Sequence, residues 1–142
     1  MISIQEINQT TKEIEEFQKK EWALADLEEF GTKIDWTKQR KILKATENGT
    51  MVGFLELSLM AGVVRIESLI VKHEKHRQGI GTELVKEAIK IAQSLKAHKI
   101  FLNTSKTKRT SKFYESLGFV KTGEHFNHHD HQDYIIYSKN IS

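Results

Sequence analysis

Between Ile66 and Leu84 an apolar segment runs through a basic turn, His76-Arg77-Gln78, into Gly79-Ile80-Gly81-Thr82 and on into a helical period. That order of residues suits an anion. Glycines at the mouth of a helix let the backbone approach a phosphate, while the unpaired N–H groups of the first turn and the positive end of the helix dipole supply the attraction. His76 and Arg77 add side-chain donors at the same point.

Two familiar phosphate sites do not fit. A dinucleotide fingerprint requires a third glycine three residues after the second and an acid about twenty positions on, but Leu84 holds the glycine position and residues 97–110 contain no acid. A nucleotide loop ends in Gly-Lys-Ser/Thr, whereas Gly81 precedes Thr82 and Glu83.

A second segment completes the pattern: Phe113-Tyr114-Glu115-Ser116-Leu117-Gly118-Phe119, with a helix and a strand between it and the glycine turn. The pair resembles the GNAT superfamily of acyl-CoA-dependent N-acetyltransferases. That family carries Arg/Gln-x-x-Gly-x-Gly/Ala followed by Phe-Tyr-x-x-x-Gly-Phe, and here the first reads His76-Arg77-Gln78-Gly79-Ile80-Gly81. The resemblance spans roughly residues 42–139. His76 is a departure, standing where the family usually has Arg or Gln. Because most of the family's pyrophosphate contacts are backbone N–H groups, the change is read as a tuning of affinity.

The resemblance implies an α/β (α+β) fold: a mixed, mostly antiparallel sheet of about seven strands flanked by about four helices, with strands splayed at the acyl-CoA site. It implies acetyl-CoA as acyl donor, an amine acceptor, direct attack in a ternary complex, and no metal. Acetyl transfer from a thioester needs little help at the donor, since a thiol with a reference pKa near 8.5 leaves readily. An alkylamine is mostly protonated at neutral pH, so the acceptor needs a base. By resemblance Tyr114 protonates the departing thiolate; the alternative is a half-buried core aromatic. Glu67 is the candidate base, acting through water, with a salt-bridged strand glutamate as the alternative. The cofactor cradle implied is Gln78, Gly79, Ile80, Gly81 and Thr82, with His76 and Arg77 beside it. Leu69, Ile70 and Val71 would flank the pantetheine arm, with a backbone N–H near Val71 polarising the thioester carbonyl. Asn103 faces the arm or caps a loop, and Lys108 and Arg109 meet the ribose phosphate or are solvated.

Composition narrows the alternatives. With 142 residues, 38% hydrophobic and 29% charged, the chain has the size and balance of one globular domain, residues 1–142. The absence of cysteine excludes disulfides, thiolate metal sites and a cysteine nucleophile. No signal-like start and no apolar run near twenty residues occur, so a cytoplasmic location is expected, without a membrane partner. The net charge of +3 is sorted along the chain: residues 72–121 hold twelve Lys or Arg against four Glu, and residues 13–35 hold eight acids against three Lys. Coenzyme A accounts for the basic half better than nucleic acid, for which no motif is present. The acidic half lies where the family walls its acceptor site, so either a cationic acceptor or a solvated helix face follows. The acceptor is expected to be a small-molecule or peptide amine and the protein a monomer or homodimer; a silent acyl-CoA-binding sensor or regulator is the rival to an enzyme.

The elements that must position these residues are legible in outline. Ile2, Ile4 and Ile7 suggest a first strand, and Thr10-Thr11-x-Glu13 starts a helical region that ends at Gly31. Strands are expected over 41–46, 51–60 and 63–71, joined by turns at Asn48-Gly49 and Ala61-Gly62, with Gly53 marking a bulge. Ile80, Leu84, Ala88, Ile91 and Leu95 trace one helix face. A strand over 98–104, a helix over 110–117 capped by Gly118, and strands over 119–126 and 133–139 complete the order. His125, His128, His129 and His131, with Asp130 and Asp133, form a cluster readable as a solvated hairpin, an acceptor-site rim or a metal site, although no spacing rule for a metal is met.

Overall fold

The computed structural model describes residues Met1–Ser142 and groups them into two compact units, Met1–Trp36 and Thr37–Ser142. The first unit is built on helix α1, Lys12–Phe30. Thr11 caps its start, accepting from the Ile14 amide at 3.3 Å, and Gly31 ends it in the left-handed region at φ 72°. Within this unit Trp36 Nε1 donates to Asp26 Oδ2 at 2.8 Å, giving a buried carboxylate the partner it requires.

The strand expected at Ile2, Ile4 and Ile7 does not form. Residues 1–11 carry no regular element, and Ile2 and Ile4 are 91% and 94% exposed. Branched residues favour a strand only where a neighbour takes up the ladder hydrogen bonds, and the sheet has no such neighbour for them. The sheet therefore has six strands, and the helices number three, because residues 12–30 form one uninterrupted helix.

In the second unit β1 (Gln39–Glu47), β2 (Thr50–Met60) and β3 (Val63–Val71) form an antiparallel meander. Helix α2 (Ile80–Ser94), strand β4 (Lys99–Ser105), helix α3 (Lys108–Ser116) and strands β5 (Val120–His125) and β6 (Tyr134–Asn140) follow. The sheet order is β1-β2-β3-β4-β6-β5, antiparallel throughout except for β3 with β4. Asn48 (φ 50°) and Ala61 (φ 49°) each precede a glycine that also has positive φ, the two-residue hairpin geometry that matches strand twist.

Leu84, Val85, Ala88 and Ala92 of α2 are buried with Leu55, Leu57, Val64, Ile66, Ile100 and Leu102 of the sheet. Each fully buried Leu or Val contributes about 1.5–3 kcal/mol, which fixes α2, and with it the glycine turn, against the strands. Two register shifts also bear on the site. Ala45 faces Gly53 and Thr46 faces Met51, so Val52 is the extra residue, one position before the glycine that signalled a bulge. On β3, Leu57 faces Ile66 and Glu56 faces Ser68, which leaves Glu67 as the extra residue.

Candidate functional site

The parallel pairing of β3 with β4 covers only Val63–Arg65 against Lys99–Phe101. Beyond it the strands part, and Ile66–Val71 keeps β2 on one side and no strand on the other. An unpaired strand edge is a template for an extended ligand with amide groups of its own. The opening is a cleft of about 940 Å³. Leu69, Ile70 and Val71 form one wall, and Thr104, Thr107, Thr110 and Phe113 line it from β4 and α3.

The basic turn closes one end of this cleft through His76, Arg77, Gly79, Gly81 and Thr82. Its two glycines serve different purposes. Gly79 caps α2 at φ 80° with open space around a would-be Cβ, so its requirement is conformational. Gly81 lies where a Cβ would come within 3.3 Å of the Phe113 ring, so its requirement is room between α2 and α3. No side chain caps the start of α2, and its first N–H groups remain available to an anion. The imidazole of His76 bridges two elements, with Nε2 2.9 Å from the Val71 carbonyl and Nδ1 2.8 Å from Nη2 of Arg109.

Tyr114 lines the cleft from α3 and is only 7% exposed. It packs edge-on to Phe113 and Phe119 and stacks on Tyr137 with centroids 5.9 Å apart. Burial pushes its hydroxyl up to about 12, so it is protonated throughout the neutral range.

Glu67 lies outside the lining of this cleft. Its position on the bulge sets the carboxylate against Ser58, whose Oγ donates to Oε1 at 2.7 Å, with Lys38 Nζ at 3.5 Å and Arg65 Nε at 3.6 Å. Burial pushes this carboxyl up, but the Ser58 hydrogen bond and the Arg65 and Lys38 cations outweigh it and hold the pKa below 4.5.

Not every expected contact converges. Gln78 and Ile80 line a separate hollow of about 340 Å³ beside β1. Asn103 precedes Thr104 and so points to the opposite face of β4; its Oδ1 is buried without a partner. Lys108 is exposed at the start of α3, away from the cleft lining, whereas Arg109 reaches it.

A family model for the acetyltransferase (GNAT) domain matches residues 5–136. The chain belongs to the GNAT acetyltransferase family. Among curated proteins none matches the sequence. Solved structures share the fold: an acetyltransferase from Bacillus cereus superposes with a TM-score of 0.73 at 18% identity, covering 96% of this chain and 97% of that one. The ribosomal-protein-S18-alanine N-acetyltransferase from Escherichia coli gives 0.68 at 23%, covering 72% and 70%. An aminoglycoside 6'-N-acetyltransferase complexed with coenzyme A gives 0.66 at 22%, covering 72% and 73%.

For a GNAT chain, the residues that sequence reasoning missed are the threonines. Thr107 caps α3, accepting from the Thr110 amide at 3.3 Å, and Thr110 Oγ1 donates to the Ser105 carbonyl at 2.9 Å. The signal was present as Thr107-x-x-Thr110, a helix-start spacing two residues earlier than the predicted boundary. The histidine cluster of the β5–β6 hairpin lies outside the cleft lining as well. His125 stacks on His128 at 4.5 Å, His128 lies 4.3 Å from His129, and no group of three ligating side chains has the geometry to hold a metal.

Proposed function

We propose that the protein transfers an acetyl group from acetyl-CoA to a primary amine, with the donor lying in the splay between β3 and β4. The observation that carries this reading is one continuous cleft with an uncapped helix start at its basic end, an unpaired strand edge along one wall and a buried tyrosine in its lining. A pyrophosphate takes the N–H groups around Gly79, Gly81 and Thr82, with Arg77 and Arg109 adding charge. The pantetheine arm then pairs along Leu69, Ile70 and Val71. One solved relative is complexed with coenzyme A, and two are named for amine acceptors, an alanine and an aminoglycoside. Those are the acceptor chemistries to try first.

In the reaction the amine nitrogen attacks the thioester carbon, the C–S bond breaks with its electron pair moving to sulfur, and the nitrogen loses a proton. Glu67 is anionic at neutral pH; it lies outside the cleft lining and is paired with Ser58, Lys38 and Arg65, so the role we assign it, taking that proton, requires a bridging water. Tyr114, with a pKa of about 12, is a weaker acid than a thiol with a reference pKa near 8.5. Its hydroxyl therefore assists by hydrogen-bonding the developing thiolate, which then takes its proton from solvent while Glu67 returns the amine's proton to solvent.

The test is Tyr114→Phe assayed by free-thiol release over a panel of amines and acyl donors. Turnover should fall roughly ten- to a thousand-fold with acetyl-CoA binding nearly intact. The loss should shrink for donors whose thiol has a lower pKa, because such thiols leave unaided. Equal losses for every donor, with a lower melting temperature, would make Tyr114 a core residue. A chain that binds acetyl-CoA but turns over no amine would be a sensor.

A further inference from the structure

We infer that His76 is a positioning residue, holding Arg109 across the basic end of the cleft to receive the pyrophosphate of an acyl-CoA. The inference rests on the acetyl-CoA reading of the cleft and adds to it a coupling between the turn at its basic end and helix α3. A guanidinium only donates hydrogen bonds, so the contact of Arg109 Nη2 with His76 Nδ1 at 2.8 Å fixes that nitrogen as the acceptor. The ring proton then sits on Nε2 and donates to the Val71 carbonyl at 2.9 Å. The chain of contacts runs from the backbone of β3 through one imidazole to the first turn of α3.

Both residues line the cleft, and the contact to His76 engages one nitrogen of a guanidinium that carries five N–H donors. An arginine free in water loses much of its rotamer freedom when it clamps a phosphate, while one already held loses less. The GNAT motif usually places a direct donor, Arg or Gln, at this position. Here the histidine gives up one nitrogen to tether a donor from α3. His73 stands edge-on to His76 with ring centroids 5.1 Å apart, supporting the ring from a neighbouring turn.

The experiment is a double-mutant cycle on His76→Leu and Arg109→Met, read by calorimetric titration with CoA and 3'-dephospho-CoA and by NMR titration with pantetheine. Each single substitution should weaken CoA and dephospho-CoA about tenfold, and the double variant no more than either single one. Pantetheine, which lacks phosphate, should bind all variants alike. His76→Gln, whose side-chain oxygen can accept from Arg109, should recover most of the loss when Arg109 is present and none of it beside Arg109→Met, since recovery in both backgrounds would mark a direct donor; melting temperatures confirm that each variant is folded. Additive losses, or an equal loss for pantetheine, would overturn the coupling while leaving the acetyl-CoA reading intact. A loss confined to CoA would overturn the pyrophosphate assignment in favour of the ribose phosphate. Failure of the unsubstituted protein to bind CoA would instead overturn the reading of the cleft itself.

Discussion

Imidazoles gather in two places in this protein, at the turn before α2 and on the β5–β6 hairpin, and the two neighbourhoods are put together differently. At the turn, each nitrogen of His76 meets a different element, the Val71 carbonyl of β3 and the Arg109 guanidinium of α3. On the hairpin, His125, His128 and His129 meet one another and Tyr134. The loop also satisfies itself locally, with the Asn127 amide donating to Asp133 and His131 bonded to Asn127. The hairpin holds four histidines against two, yet the turn has the cleft and the uncapped helix start. Convergence of separate elements, rather than the number of imidazoles, is what makes a place for a ligand.

The sharpest way to break this contrast is at Gly81. In Gly81→Asp the new side chain starts 3.3 Å from the Phe113 ring and brings a negative charge to the phosphate turn. Acetyl-CoA affinity should fall roughly a hundredfold or more, as measured by calorimetry. An unchanged affinity in a folded variant would remove the turn from the site.

An intermediate effect is expected at Glu67. Glu67→Gln should lower turnover about tenfold near neutral pH and recover toward alkaline pH, where the amine loses its proton without help. A variant with the parent's pH profile would place the base elsewhere. The same residue makes a prediction about stability. Its folded-state pKa lies below 4.5, so the stability it adds is present above that pH and is lost as the pH falls through the folded value. Acid denaturation of Glu67→Gln should accordingly show a shallower slope below pH 4.5 than that of the parent.

The smallest effect belongs to the hairpin. Burial, then the neighbouring His129 and His125 charges, lowers the pKa of His128 below 6.5. A histidine that binds protons less readily when folded costs stability as the pH falls through its unfolded value. Melting temperature should therefore drop slightly faster below pH 6.5 in the parent than in His128→Gln. Acetyl-CoA binding should be the same in both, and a lost affinity in His128→Gln would end the contrast between the two regions.

Most of the cleft was legible because its determinants are local. Gly79 and Gly81 follow a strand and open a helix, and Phe113-Tyr114 with Gly118-Phe119 fixes the second motif. The turns at Asn48-Gly49 and Ala61-Gly62 set the meander for the same reason. What escaped depended on partners distant in the sequence. Ile2, Ile4 and Ile7 carry strand-forming residues but have no strand to pair with. Glu67 could be placed on β3, but not on a bulge that turns it toward Ser58, since a bulge belongs to a pair of strands. From sequence Asn103 ends its strand, facing the arm or capping a loop, but β4 runs on to Ser105, so Asn103 lies within the strand and the neighbouring Thr104 takes the cleft face. The tie between His76 and Arg109 joins residues on different elements, and no spacing along the chain announces it.

If the cleft takes acetyl-CoA through the phosphate turn and the strand edge together, ligand-dependent thermal denaturation will show it. With acetyl-CoA at about a hundred times its Kd, the midpoint should rise by roughly 5–10 °C. ATP and NAD, which offer phosphates but no pantetheine arm for Leu69–Val71, should raise it far less. Equal stabilisation by ATP, or none by acetyl-CoA, would mean that the strand edge and the turn do not hold the donor together.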